Sequence, residues 1–296
     1  MQLVEPERSL FVAVNNTRLR IWQWGDASLP VVLFLHGGFD HGRMYDELAP
    51  RVAALGYHAV AVDARGHGDS GRLTSGTTWL TQVLDFALLA RELGAPVGLV
   101  AHSMGGGQGL NLAAAFPELV RWVVNIDGLG PPADVMRDPD DPASAMNENL
   151  ERALRIVRRP PREWESLDAM ADQRGQINVR LPREWLLHLA EHGSSAGPNG
   201  GRVWKSDPIL TIDLPSPFGY EQLLAQHRRV RCPVLVLTGD EPDTWNEVHG
   251  DELDRRIANL PDARLVHVPG TGHYVHIEDP DASMRAIEAF VDEVGP

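Results

Sequence analysis

The chain has 296 residues, 43% hydrophobic and 23% charged, which suits one large α/β domain with room for an inserted segment. A formal charge of −14 argues against nucleic acid or an anionic membrane as the main partner, because both need a basic surface. No apolar stretch reaches the roughly 20 residues that span a bilayer. The start, Met1-Gln2-Leu3-Val4-Glu5, has neither the basic flank nor the apolar run of a secretory signal. The single cysteine, Cys232, has no disulfide partner and heads an apolar run, so a cytoplasmic location is expected. The cations are arginines apart from Lys205, a bias that with abundant Ala, Gly and Pro fits a GC-rich bacterial source.

In chain order, residues 11–14 and 18–24 flank Asn15-Asn16 and predict an opening hairpin. Apolar, β-branched runs then recur at 31–35, 58–62, 97–101, 122–126, 234–238 and 264–268, giving eight strands with the hairpin. Short continuous runs of this kind suit strands buried on both faces. Helical patterns lie between them at 42–55, 78–93, 104–116, 247–260 and 281–294. That alternation predicts an α/β fold: a mostly parallel eight-stranded sheet with helices on both faces. Residues 130–229 break it. They open on Pro131-Pro132 and the run Asp138-Pro139-Asp140-Asp141-Pro142, and continue as amphipathic pieces at 147–158, 161–171 and 183–192. A Gly-rich loop at 194–201 follows. The expected organisation is a core of residues 1–129 and 230–296 carrying a helical cap, 130–229. The cap's Trp164, Trp185 and Trp204 are candidate substrate-binding residues.

The strongest local signal is an apolar strand running into Ala101-His102-Ser103-Met104-Gly105-Gly106 and then a helix. Small residues two before and two after Ser103 allow the sharp strand–turn–helix bend of a nucleophile elbow. That bend lifts the hydroxyl above the sheet edge at a helix N-terminus, where the dipole favours developing negative charge. Serine needs a base and an oxyanion site to act as a nucleophile. His273, in the glycine-rich loop just past the last strand, is the candidate base. His267 falls within that strand, and His276 lies where the chain has turned away. His36-Gly37-Gly38-Phe39, after the third strand, supplies an oxyanion loop. The donors expected are the N–H of Met104 and that of Gly38 or Phe39. His67 and Asp69 are read as turn residues, and no metal or cofactor is required.

These stretches together resemble the α/β-hydrolase fold superfamily, in its capped group of bacterial esterases, lactonases and carbon–carbon bond hydrolases. Asp63-Ala64-Arg65-Gly66-His67-Gly68-Asp69-Ser70 is similar to a structural loop of that superfamily. The resemblance implies a catalytic acid, and three positions match. Asp243, four residues after Gly239, stands where many relatives carry it, and Asp240 is nearer the strand end. Asp127 is 24 residues beyond Ser103, where dehalogenases and zearalenone lactonases place theirs. Asp243 is the first choice, with Asp127 and Asp240 as alternatives. The resemblance implies a serine hydrolase that cleaves an ester or lactone of a small, apolar or aromatic substrate. Carbon–carbon cleavage of a diketone-like substrate is the alternative reading, and a non-hydrolytic member of the fold a further one.

Overall fold

Asn15 and Asn16 both take positive φ, the backbone that a two-residue hairpin demands, and fold β1 (Arg8–Val14) onto β2 (Thr17–Trp24). The computed structural model describes residues 2–73, 78–136, 142–211, 219–245 and 248–295. β3 (Val31–Leu35), β4 (His58–Val62), β5 (Val97–His102), β6 (Val120–Ile126), β9 (Val234–Gly239) and β10 (Ala263–Val268) complete one sheet. Its order is β1-β2-β4-β3-β5-β6-β9-β10, and β2 alone runs antiparallel to both its neighbours.

Successive side chains of a strand point to opposite faces, so an apolar run feeds two cores. Leu33, Leu35, Val60, Val62, Leu99 and Val123 pack on one face under α2 (Trp79–Glu92) and α3 (Met104–Ala115). Val32, Phe34, Ala59, Ala61, Val100 and Val124 pack on the other, under α1 (Leu48–Ala54) and α10 (Pro280–Val294). Burial on both sides is why these strands lack the polar alternation of a half-exposed sheet.

Between β6 and β9 the chain holds α4 (Pro142–Val157), α5 (Leu167–Gly175), α6 (Arg183–Gly193) and α7 (Tyr220–His227). It is not helical throughout. The Gly-rich loop expected at 194–201 is the tip of a short hairpin, β7 (Ser194–Ala196) with β8 (Arg202–Trp204). The run Asp138–Asp141 lies outside the described residues. So does Glu247, the expected start of the helix that begins here as α8 (Gly250–Ile257). A one-turn helix, α9 (Val275–Glu278), leads into α10.

Because β3, β5, β6, β9 and β10 are parallel, their carboxyl ends share one edge, the usual ligand side of an open α/β sheet. That edge gathers the loop at 36–40, Ser103, Asp127, the loop at 240–245 and His273.

Candidate active site

Ser103 sits between β5 and α3 with φ 53° and ψ −120°, a backbone that side-chain-bearing residues rarely adopt. Neighbouring glycines make the bend possible. A Cβ on Gly105 would lie 2.4 Å from the Leu35 carbonyl oxygen, and one on Gly128 would lie 2.6 Å from the Ser103 carbonyl oxygen. Ser103 N donates to Ile126 O at 3.0 Å and Gly107 N donates to Ser103 O at 3.1 Å, fixing both ends of the turn. The strained serine is held by its surroundings and stands at the start of α3.

His273 lies in the loop after β10, and Asp127 Oδ2 accepts from its Nδ1 at 2.5 Å. Their side chains are 6% and 9% exposed, so the pair is largely withdrawn from water. The carboxylate that meets the imidazole is therefore Asp127 and not Asp243, the first choice of acid. Asp243 reaches the same residue, but its Oδ2 accepts from the main-chain N–H of His273 at 3.2 Å and leaves the imidazole to Asp127. Asp240 is exposed and accepts from Gly270 N at 2.7 Å, holding the loop at a point away from the ring. Asp127 is set by its own turn. It has φ 45°, its N donates to Leu237 O at 2.8 Å, and Asn125 brackets Gly128 with bonds of 2.9 and 3.1 Å.

His273 is surrounded by imidazoles that burial keeps neutral. His102 Nε2 donates to His273 O at 3.0 Å with ring centroids 4.6 Å apart, and burial pushes the His102 pKa well down. His276 is pushed down to about 3 by burial and by the His273 charge. Neither adds a positive charge that would oppose an imidazolium at His273. His267 instead faces Thr238, with Nδ1 and Oγ1 2.9 Å apart.

The loop after β3 passes against Ser103: a Cβ on Gly37 would lie 3.2 Å from Ser103 Cβ. His36 is structural there. Its Nε2 accepts from Ala64 N at 2.9 Å and its Nδ1 donates to Gly37 O at 2.7 Å. Ser103, Met104, Asp127 and His273 line one cavity of about 400 Å³. Gly38 and Phe39 line a second, of about 430 Å³, with Trp164, Trp204 and Tyr274. Trp245 borders both and is half exposed. Two of the three tryptophans singled out in the sequence therefore face a cavity. Trp185 does not: it is 1% exposed in the core beside Leu189, with its ring against His188. Trp245 and Tyr274 were not anticipated, although each lies within two residues of a residue that was.

Among the described residues one group has metal-ligand spacing: Asp46, His188 and His192, with ligand atoms within 4.8 Å of one another. An arginine already fills it. Arg43 pairs with Asp46, Arg43 Nη1 donates to His192 Nδ1 at 3.2 Å, and His188 Nε2 donates to Arg43 O at 3.0 Å. A cation in residence with the lone pairs committed does not fit a metal. His67 and Asp69 hold a turn, His67 Nδ1 donating to Arg65 O at 3.2 Å and Asp69 N to Asp63 at 2.8 Å.

Known proteins resemble this chain over most of its length. The chain is 30% identical to an sn-1-specific diacylglycerol lipase of Mus musculus over 271 residues, covering 90% of this chain and 82% of that one. It is 29% identical to an esterase of Mycobacterium tuberculosis over 297 residues, covering 98% and 90%. The solved structure of an E-2-(acetamidomethylene)succinate hydrolase superposes with a TM-score of 0.77 at 26% identity, covering 96% and 99%. Residues 32–286 match the alpha/beta hydrolase family. That span takes in every loop at the sheet's carboxyl edge, and the chain belongs to the alpha/beta hydrolase family.

Proposed function

We propose that the protein is a serine hydrolase that cleaves an ester or lactone of a small, apolar or aromatic substrate through Ser103, His273 and Asp127. The observation that carries this reading is the Asp127–His273 contact of 2.5 Å in the cavity that Ser103 lines. An ionised Asp127 accepts from Nδ1–H and so leaves Nε2 as the basic nitrogen. His273 takes the Ser103 proton as Oγ attacks the carbonyl carbon, and Asp127 stabilises the imidazolium. Met104 N–H, with that of Gly38 or Phe39, holds the oxyanion. His273 then protonates the leaving group, and water hydrolyses the acyl-enzyme by the reverse roles. No step calls for a metal or a cofactor.

The cavity walls support this substrate class. Trp164, Trp204 and Trp245 border the second cavity, and aromatic faces favour apolar or flat acyl and alcohol groups. A lipase of diacylglycerol and an esterase among the relatives support ester cleavage. No helix among the described residues is long and apolar enough to cross a membrane. The acidic charge favours a small-molecule substrate over nucleic acid or an anionic membrane as partner. The test is a fluorophosphonate probe with a p-nitrophenyl ester assay on wild type and Ser103→Ala. The expected result is an adduct at Ser103 and ester turnover, both lost in the variant. Labelling elsewhere, or equal turnover by Ser103→Ala, overturns the proposal.

A further inference from the structure

The oxyanion loop carries a strain that local sequence does not relieve. Asp40 N donates to Gly37 O at 3.3 Å, closing a four-residue turn, and Phe39 at its third position has φ 62° while Gly38 stays outside the positive range. That is the pattern of a type II turn, whose third residue is ordinarily glycine or asparagine. A phenylalanine there favours the type I alternative, which differs by roughly 150° in ψ of the second residue and 170° in φ of the third. The change turns over the peptide between Gly38 and Phe39, and with it the Phe39 N–H.

The clamp comes from α5. Arg174 Nη1 donates to Phe39 O at 3.2 Å, and Nη2 forms an ion pair with Asp40 Oδ1 and lies 3.4 Å from Tyr274 Oη. Tyr274 Oη in turn donates to Asp40 Oδ2 at 3.3 Å. All three side chains are buried, and Tyr274 directly follows His273. The planar fork of an arginine grips a carboxylate and a carbonyl in one fixed geometry; the shorter lysine offers a single nitrogen with rotatable donors and does not fix both.

We infer that Arg174 is a positioning residue that holds the Gly37–Asp40 turn in its strained form, so that the Phe39 N–H faces the oxyanion formed at Ser103. The inference rests on the proposed hydrolase reading. It adds that the oxyanion hole is complete only while α5 is docked on the loop. Asp40 supplies the counter-charge, and Tyr274 joins the clamp to the histidine loop.

The test is Arg174→Lys, which keeps a cation beside Asp40 but loses the fork, alone and combined with Phe39→Gly. kcat and KM are measured on p-nitrophenyl butyrate and normalised to fluorophosphonate-titrated Ser103. Arg174→Lys is expected to lower kcat by about 10²-fold, as for loss of one oxyanion donor, with KM within about twofold. Adding Phe39→Gly is expected to restore kcat to within about threefold of the Phe39→Gly single variant, because glycine takes positive φ freely. A merely structural role would lower the titratable fraction and would not be rescued by glycine. Unchanged normalised kcat in Arg174→Lys, or a loss that Phe39→Gly does not repair, overturns the inference. Wild-type labelling and turnover report separately on the hydrolase reading. If Arg174→Lys does not fold, Tyr274→Phe serves. A kcat loss of about threefold that glycine rescues supports the clamp, and no loss, or a loss without rescue, overturns it.

Discussion

Replacing Asp127 by Asn removes the negative charge from His273 while keeping the side chain's shape. The Asp127–His273 pair is 2.5 Å apart with side chains under one-tenth exposed, so solvent screens it little. Two unit charges about 4 Å apart at an effective dielectric near 20 interact by about 4 kcal/mol. That is the stabilisation lost to the imidazolium, worth about three decades in rate. An asparagine can also donate its amide to Nδ1, which places the ring proton on Nε2 and disables the base. The expected loss in kcat is therefore on the order of 10³ to 10⁴. Asp243→Asn is the internal control: its amide oxygen still accepts from His273 N, so kcat is expected to stay within about threefold of wild type. Asp240→Asn is expected to change it less. The assay is steady-state hydrolysis of a p-nitrophenyl ester, normalised to probe-titrated Ser103. Near-normal activity in Asp127→Asn together with a thousandfold loss in Asp243→Asn would refute the assignment.

Other consequences follow from burial and proximity. Trp185→Ala is expected to cost about 3–5 kcal/mol in chemical denaturation without changing the preference among ester substrates, since Trp185 is core. Trp204→Ala is expected to raise KM for aromatic esters by about tenfold while leaving stability within about 1 kcal/mol, read from substrate-series kinetics. Gly105→Ala places a methyl 2.4 Å from a backbone oxygen, so the elbow shifts and probe labelling at Ser103 is expected to be lost. Acid should destabilise the fold already near pH 5.5 through its buried histidines. Burial pushes His227 down to about 4 and His276 to about 3, so below pH 6.5 the unfolded chain takes up protons that the folded chain refuses. Stability present above the unfolded pKa is then lost as pH falls. At pH 5.5 each of the two costs about 1.4 kcal/mol relative to pH 7.5. Denaturation midpoints equal at the two pH values would contradict that account.

The elements that placed Ser103 and His273 at one edge were legible because each depends on local pattern. Ser103 needs an apolar strand, small residues two to either side and a following helix, and all of these are contiguous. His273 follows the last apolar run through a glycine-rich loop. Which carboxylate meets the imidazole was not legible, because the loops after β6 and β9 both deliver a carboxylate to the same histidine. Only side-chain direction separates Nδ1 from the backbone N–H, and that direction comes from the Asn125 bracket and the positive φ of Asp127. Trp185 could have been set aside on spacing, since Trp185, Leu186 and Leu189 share a helical face. The β7–β8 hairpin was hidden because strands of three residues carry no periodicity. The Arg174–Asp40 contact joins residues 134 apart, and nothing near either one announces the other.

The measurement that bears most directly on the central claim is intact-mass and peptide analysis of the enzyme quenched during turnover of a p-nitrophenyl ester. An acyl-enzyme on Ser103 predicts a mass increase equal to the acyl group, mapped to Ser103, forming faster than it decays and absent in Ser103→Ala. Sustained turnover with no covalent species on Ser103 would contradict it.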